Sequence, residues 1–169
     1  MADKFKRIDP SGLTDNALRL IGADWMLVTS GDHENFNTMT ASWGGLGILW
    51  DKKIAFCVIR PTRHTYGFMN SAPNFTLSFF GENYRDTLLY CGTNSGRDVD
   101  KVSETGLTPV KEKPGVVYFA EARLVLVLRK IYFQDINPAN FLDPDIEKNY
   151  PDKDYHRMFV GEITDCLIK

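Results

Sequence analysis

Cysteine is scarce in this chain. Cys57, Cys91 and Cys166 are an odd number with no Cys-x-x-Cys pair, so neither a zinc site nor a disulfide framework is expected. Neither sign of charge is in excess. The 20 basic and 22 acidic residues leave a net charge of -2, which gives no footprint for nucleic acid or an anionic membrane surface. No apolar run is long enough to cross a bilayer. The opening Met-Ala-Asp-Lys-Phe-Lys-Arg lacks the apolar stretch of a secretion signal. A reducing cytoplasm is the expected compartment, where the glycosylation acceptor Asn74-Phe-Thr76 carries no meaning. There is no Walker loop, no HExxH and no GxSxG elbow. Gly45-x-Gly47 would need a third glycine at position 50, but Trp50 stands there and no helix follows. The dinucleotide fingerprint therefore fails.

What is present is a β-rich pattern. Its 169 residues read most simply as one domain. Aromatics reach 12%, which suits strands. Strands are expected at 25–29, 37–43, 54–59, 75–80, 116–119, 122–133 and 156–163. Ile54–Ile59 and Leu124–Leu128 are apolar without alternation, as in strands buried on both faces. Short helices are expected at 11–22, 62–71, 83–91 and 97–105. Gly31–Asn35 reads as a turn, and the polar residues 135–155 as a long loop. Many strands with few helices and no βαβ alternation predict a mainly β fold, a closed or nearly closed barrel with helices at its rim. The aromatic excess and the 124–128 run suggest a buried β interface between two copies.

Four segments could carry chemistry. Asn37-Thr-Met-Thr-Ala-Ser-Trp43 sets hydroxyls and an indole before three glycines. That mix suits a flat, hydrogen-bonding ligand, with Thr40 and Ser42 as polar contacts and Trp43 as a stacking face. Packing explains Trp43 as well. In Ile59-Arg-Pro-Thr-Arg-His-Thr65 a strand runs into a helix start. Arg60, Thr62, Arg63 and Thr65 there form either an ordinary capped helix with surface arginines or a phosphate cradle. The strand-to-helix placement favours the cradle. Thr93-Asn-Ser-Gly-Arg-Asp-Val-Asp-Lys101 fits a capped surface helix better than a ligand loop on composition alone. His156 enters a strand at a barrel rim. Such a histidine is more often structural than catalytic, but the rim placement makes it a candidate proton donor.

Asn37–Trp43, Arg60–Thr65, Ser95–Lys101 and His156–Ile163, in that order, resemble the flavin reductase-like, FMN-binding split-barrel family, most closely its flavoredoxin branch. The resemblance runs over about residues 20–165. It implies an FMN-binding homodimer with the flavin at the barrel rim. Asn37, Thr40, Ala41, Ser42 and Trp43 would then border the ring and ribityl chain, with Thr40–Ser42 N–H groups on its N5–O4 edge. Arg60, Thr62, Arg63 and Thr65 would hold the phosphate. Ser95, Arg97, Asp98 and Lys101 would close over the cofactor, Arg97 or Lys101 facing its N1–C2=O side. His156 would lie where a nicotinamide or another reductant docks. The chain departs from the family pattern at Asp154-Tyr155-His156, where many relatives carry Gly-Asp-His, and in its long acidic 135–155 loop. Two activities follow from the resemblance. One is an FMN oxidoreductase fed by NAD(P)H or a redox protein. The other is an electron-carrying FMN module with no nicotinamide chemistry of its own.

Overall fold

The structure is a computed structural model that describes residues 4–169. The first three residues of the N-terminal stretch lie outside that range. Ten strands are described: β1 Lys6–Ile8, β2 Met26–Gly31, β3 Phe36–Ala41, β4 Gly44–Leu49, β5 Lys52–Ile59, β6 Asn74–Phe79, β7 Pro109–Lys113, β8 Val116–Phe119, β9 Leu124–Asp135 and β10 Arg157–Ile168. The helices are α1 Ala17–Arg19, α2 His64–Ser71, α3 Arg85–Thr93 and α4 Lys101–Thr105, with short 3-10 turns and one π turn between them.

Eight strands form one antiparallel sheet in the order β3-β2-β6-β9-β10-β5-β4, with β1 beside the end of β10. The two end strands, β3 and β4, are consecutive in the chain and joined only by Ser42 and Trp43, but they do not pair. The sheet is therefore a barrel left open along one seam, as the mainly β, split-barrel expectation required.

Period-two alternation divides the core between the two faces of this sheet. Met26, Val28, Leu124, Leu126 and Leu128 join Phe75, Phe79 and Phe159 in one buried cluster. Leu27, Val125 and Val127 join Phe80, Leu88, Cys91 and Phe119 in the other, beneath α3 and the β7–β8 hairpin. This explains why 124–128 reads as continuously apolar. It also corrects the interface expectation: β9 lies between β6 and β10, and Leu124–Leu128 is buried within the chain itself.

The 11–22 region is not one helix. Asn16 caps α1 by accepting from Leu18 and Arg19 N–H, and the chain then runs through Gly22 in a π turn that ends at Trp25 (φ 69°). Strands β1, β4 and β7 have no counterpart among the strands expected from sequence. β4 is masked by its glycines, which serve packing. A Cβ at Gly44 would lie 2.3 Å from the Phe56 carbonyl oxygen, and one at Gly45 2.5 Å from the Phe56 ring. Only glycine lets β4 lie this close to β5. Among the described residues, no helix is long and apolar enough to cross a membrane.

Candidate functional site

The barrel seam leaves β3 as a free edge, so alternate backbone groups along it lack a strand partner. The Thr38 carbonyl is one of these, because it accepts from Lys101 Nζ at 2.8 Å. By the same alternation, the Thr40 N–H also faces away from β2. Helices α2 and α3 pack against this edge. The crevice between them and the edge holds two adjoining clefts.

The first cleft, about 260 Å³, is lined by Met39, Thr40, Ala41, Ser42, Trp43, Val58, Arg60, Arg63 and His156. Trp43 stands at the seam, 45% exposed, with its ring centroid 5.1 Å from that of His156. His156 is buried and its Nδ1 lies 2.8 Å from the Tyr150 hydroxyl. Burial holds that phenol above its ordinary range and therefore protonated. Burial, with help from Arg60 and against Asp154, pushes the imidazole down to about 4. The histidine is neutral near pH 7. Its Nδ1 is tied to the Tyr150 hydroxyl, so Nε2 is the ring nitrogen left for another partner.

The second cleft, about 180 Å³, is lined by Asn37, Thr62, Arg63, Thr65, Ser95, Gly96, Arg97 and Lys101, with Met39, His64, Thr93 and Asn94. Arg63 and Met39 belong to both clefts. The N-terminus of α2 opens here, and no side chain caps it, so its first N–H groups and dipole are free for an anion. Asn37 Nδ2 donates to Thr65 Oγ1 at 2.8 Å. Arg63 Nη2 donates to the Gly92 carbonyl at 2.8 Å, and burial lowers the pKa of its guanidinium. Arg97 Nη1 donates to the Thr62 carbonyl at 3.1 Å.

Lys101 is the most informative of these residues. It is only 5% exposed, and its ammonium donates to the Thr38 and Cys91 carbonyls at 2.8 and 2.7 Å. Among the described residues no carboxylate pairs with it. Burial pushes it down to about 8, opposed by Cys91 and assisted by Arg63. A buried cation with two neutral acceptors and one N–H to spare lies beside an uncapped helix start and two guanidiniums, which concentrates positive charge in this cleft.

Of the fourteen candidates from the sequence, thirteen line one of these two clefts. Asp98 does not. It is exposed and faces a neighbouring cleft beside Phe36 and Pro109. The expected helix from 97 begins only at Lys101, capped by Asp100 accepting from Val102 and Ser103 N–H, so Ser95–Val99 is a loop and Asp98 turns outward. Arg60 sits at the His156 end rather than with the Thr62–Thr65 group. Its Nη1 is held by Asp154 at 2.6 Å, its Nη2 by the Asn149 carbonyl at 2.8 Å, and it lies over the Tyr150 ring. The structure adds Met39, Val58, Gly96 and Tyr150, which sequence reading misses. Met39 lies inside the Asn37–Trp43 motif, which is the one signal that points to it. Tyr150 sits in an aperiodic loop that carries no signal.

Gly96 yields a prediction. A Cβ there would lie 2.0 Å from Asn37 Oδ1, so Gly96→Ala must displace Asn37 from Thr65. The anion cleft should lose affinity by about tenfold, one hydrogen bond's worth, while urea unfolding changes by about 1 kcal/mol or less. Wild-type affinity in this variant, measured by ligand titration, contradicts that packing.

A half-open antiparallel barrel with a cation-lined crevice at its seam defines a split-barrel protein. The chain belongs to the flavin reductase-like family: the model described as flavin reductase like domain matches residues 18–169. Among solved structures it is similar to flavoredoxin of Desulfovibrio vulgaris (Miyazaki F). That match is 25% identical with a TM-score of 0.66, over 86% of this chain and 69% of that one. It is also similar to an FMN-binding protein from Thermus thermophilus with bound p-hydroxybenzaldehyde, at 21% identity and TM-score 0.66, over 97% of this chain and 82% of that one. A third is the NADH:FAD oxidoreductase SgcE6 of Streptomyces globisporus, in complex with NAD and FAD fragments. It is 14% identical with a TM-score of 0.63, over 86% of this chain and 75% of that one. The last two likenesses speak to fold alone. No curated protein matches the chain in sequence.

Proposed function

We propose that this protein is a flavin-dependent oxidoreductase of the flavin reductase and flavoredoxin type, taking FMN in the two adjoining clefts. The observation that carries this is the buried, carboxylate-free Lys101 beside the uncapped start of α2. It lies next to a cleft walled by Trp43, the β3 edge and a neutral histidine. The residues fit an elongated ligand with a dianion at one end and a flat hydrogen-bonding ring at the other.

In this reading Thr62, Arg63 and Thr65 hold the phosphate with the N-terminal N–H groups of α2, and Ser95 and Arg97 close that end. Asn37 and Lys101 line the same phosphate-end cleft. Thr40, Ala41, Ser42 and Trp43 border the ring, with the Thr40 N–H as a donor along the open β3 edge. The bound flavin supplies the two-electron chemistry, and the protein supplies orientation and electrostatics. Lys101 adds its positive charge at the phosphate-end cleft that it lines. His156, neutral and held at Nδ1 by Tyr150, lines the ring-end cleft where a reductant docks. Arg60, tied to Asp154, secures the 135–155 loop over that mouth instead of gripping phosphate.

A second reading is an FMN electron carrier that takes its electrons from a redox protein. The small volume of the ring-end cleft, about 260 Å³, favours it, because little room remains there for a nicotinamide. Anaerobic NADH or NADPH added to the FMN-loaded protein separates the two. Bleaching of the visible flavin band is the outcome expected for a reductase. No bleaching with either, while dithionite bleaches fully, leaves the carrier reading.

The protein acts as a homodimer in this proposal. Ile48, Trp50 and Tyr132 are exposed by 69, 57 and 40%, and Trp50 meets Tyr132 edge-on at 5.6 Å. This aromatic face beside the unpaired edge of β4 is the kind that a partner covers. A monomer in sedimentation at micromolar concentration contradicts it.

A further inference from the structure

The excursion 137–155 leaves the sheet after β9 and returns at the start of β10. Among the described residues, the hydrogen bonds and ion pairs that tie it to the rest of the chain go to two residues, Arg60 and His156. Both of them line the ring-end cleft. We propose that this loop is a charge clamp on the ring end, in which Asp154 balances the charge of Arg60 beside the flavin ring and so keeps the reduction potential of the bound flavin low. Asp154 is then a positioning residue, since it acts through Arg60. The inference rests on the flavin reading and deepens it: a lower potential makes the reduced flavin a stronger electron donor.

Three observations carry it. First, the fixed charges at the ring end are unequal until the loop is counted. Arg60 and Arg63 line the cleft, and no carboxylate does. Unopposed, two guanidiniums favour the ligand state with more negative charge, which for a flavin is the reduced one. Asp154 reaches Arg60 from the loop, with Nη1 at 2.6 Å. The side chains of Arg60 and Asp154 are only 27 and 16% exposed, so water and salt screen them less than an open surface pair. Their fields reach the cleft wall. After burial, the charges that act on the pKa of His156 are Arg60, which lowers it, and Asp154, which raises it.

Second, the loop is built to hold that carboxylate in place. Its base is closed by the Ile136 N–H, which donates to the His156 carbonyl at 2.9 Å. Arg157 grips both oxygens of Asp135 just below, at 2.6 and 2.9 Å. The interior is aromatic: Tyr150 stacks on Phe141 and meets Tyr155, with ring centroids 6.1 and 4.9 Å away. Lys153, immediately before Asp154, is held in a left-handed backbone conformation (φ 55°). Its N–H donates to the Tyr150 carbonyl at 3.1 Å. A non-glycine residue stays in that region only where its surroundings fix it.

Third, Arg60 is spent wholly on the loop. Nη1 goes to Asp154, Nη2 to the Asn149 carbonyl at 2.8 Å, and the guanidinium lies 5.0 Å from the centre of the Tyr150 ring. Fastening a loop does not call for an ion pair, because well-packed apolar side chains hold a partly buried contact at least as well. What the pair adds is a charge beside the ring and a countercharge behind it.

The test is the midpoint potential of FMN bound to the protein, read from the visible flavin band in an anaerobic redox titration. It is run at about pH 8, where free carboxylates are charged. Asp154→Asn keeps the size of the side chain and an acceptor for Arg60 but removes the charge. It should favour reduced over oxidised FMN about tenfold more than wild type does, a rise of about 30 mV for two electrons. Asp154→Glu keeps the charge, and the double variant Arg60→Gln/Asp154→Asn removes both charges. Each should stay within about twofold of wild type on the same scale. Arg60→Gln alone should shift the potential down by a similar factor, and this arm decides the matter if circular dichroism shows that Asp154→Asn does not fold. An unchanged potential in Asp154→Asn or in Arg60→Gln overturns the proposal. So does the same rise in Asp154→Asn and in the double variant, which is what a merely structural role gives. Wild type that binds FMN and meets either of those results removes the clamp alone. Wild type that binds no flavin removes the flavin reading and the clamp with it.

Discussion

Arg63→Ala is expected to weaken FMN binding by roughly 10–150-fold, the equivalent of one charge-assisted hydrogen bond at about 1.5–3 kcal/mol. Riboflavin binding should stay close to wild type. Arg63 lies at the junction of the two clefts, half-buried, with Nη2 on the Gly92 carbonyl. Burial and Arg60 both disfavour its charge, so an anion placed beside it relieves a cost already present in the empty site. Riboflavin has the same ring and no phosphate. The difference between the two ligands therefore isolates the anion. Equal losses for FMN and riboflavin would move Arg63 to the ring, and no loss for either would remove it from the site.

Lys101→Met should have an effect at least as large near pH 7, and it should also remove a pH dependence. In wild type, the Lys101 ammonium loses its proton near pH 8 rather than near its ordinary value of 10.5. The affinity for an anionic ligand should therefore fall as pH rises through about 8. Folding of the flavin-free protein should respond in the opposite direction. Between about 8 and 10.5 the unfolded chain keeps this proton while the folded chain has released it, so this group makes stability rise with pH across that window. Lys101→Met lacks both slopes. It also leaves the Thr38 and Cys91 carbonyls without their donor, which costs about 1–3 kcal/mol each in stability where no water replaces it. Fluorescence titration from about pH 7 to 10 and urea unfolding over the same range measure the two slopes. Wild-type slopes that survive in Lys101→Met would assign them to another group.

The parts of the fold visible in the sequence are those where one physical signal dominates. Leu124–Leu128 is apolar on both faces because each face of the sheet meets its own buried cluster, while Ile54–Ile59 puts Ala55, Cys57 and Ile59 into one cluster and turns Val58 to the ring-end cleft. The strand-to-helix step at Arg60–Thr65 puts unpaired helix N–H groups where α2 begins. What cannot be read depends on distant contacts. β4 hides behind its glycines because Phe56, which needs them, is on another strand. Arg60 resembles its neighbours in the phosphate group, but Asp154, almost a hundred residues on, claims its guanidinium. Lys101 shows no sign of burial in a polar, capped segment. Only the packing of α4 against β3 and α3 brings its ammonium to two carbonyls.

Tyr150 and Gly96 make the same point on a smaller scale. Tyr150 holds the His156 ring by a hydrogen bond to Nδ1 from within a loop that has no periodicity. Gly96 matters because Asn37 occupies the place of its missing Cβ. Neither role is local, so neither leaves a mark on the sequence around it.

The central claim is that the seam clefts hold one FMN per chain. Titrating FMN into the purified protein, stripped of any flavin, and following the visible flavin band tests it most directly. Saturable binding at one FMN per chain, weakened by Arg63→Ala and Lys101→Met, is the predicted result. A protein that stays colourless after gel filtration from excess FMN, with no change in the flavin spectrum, would contradict it.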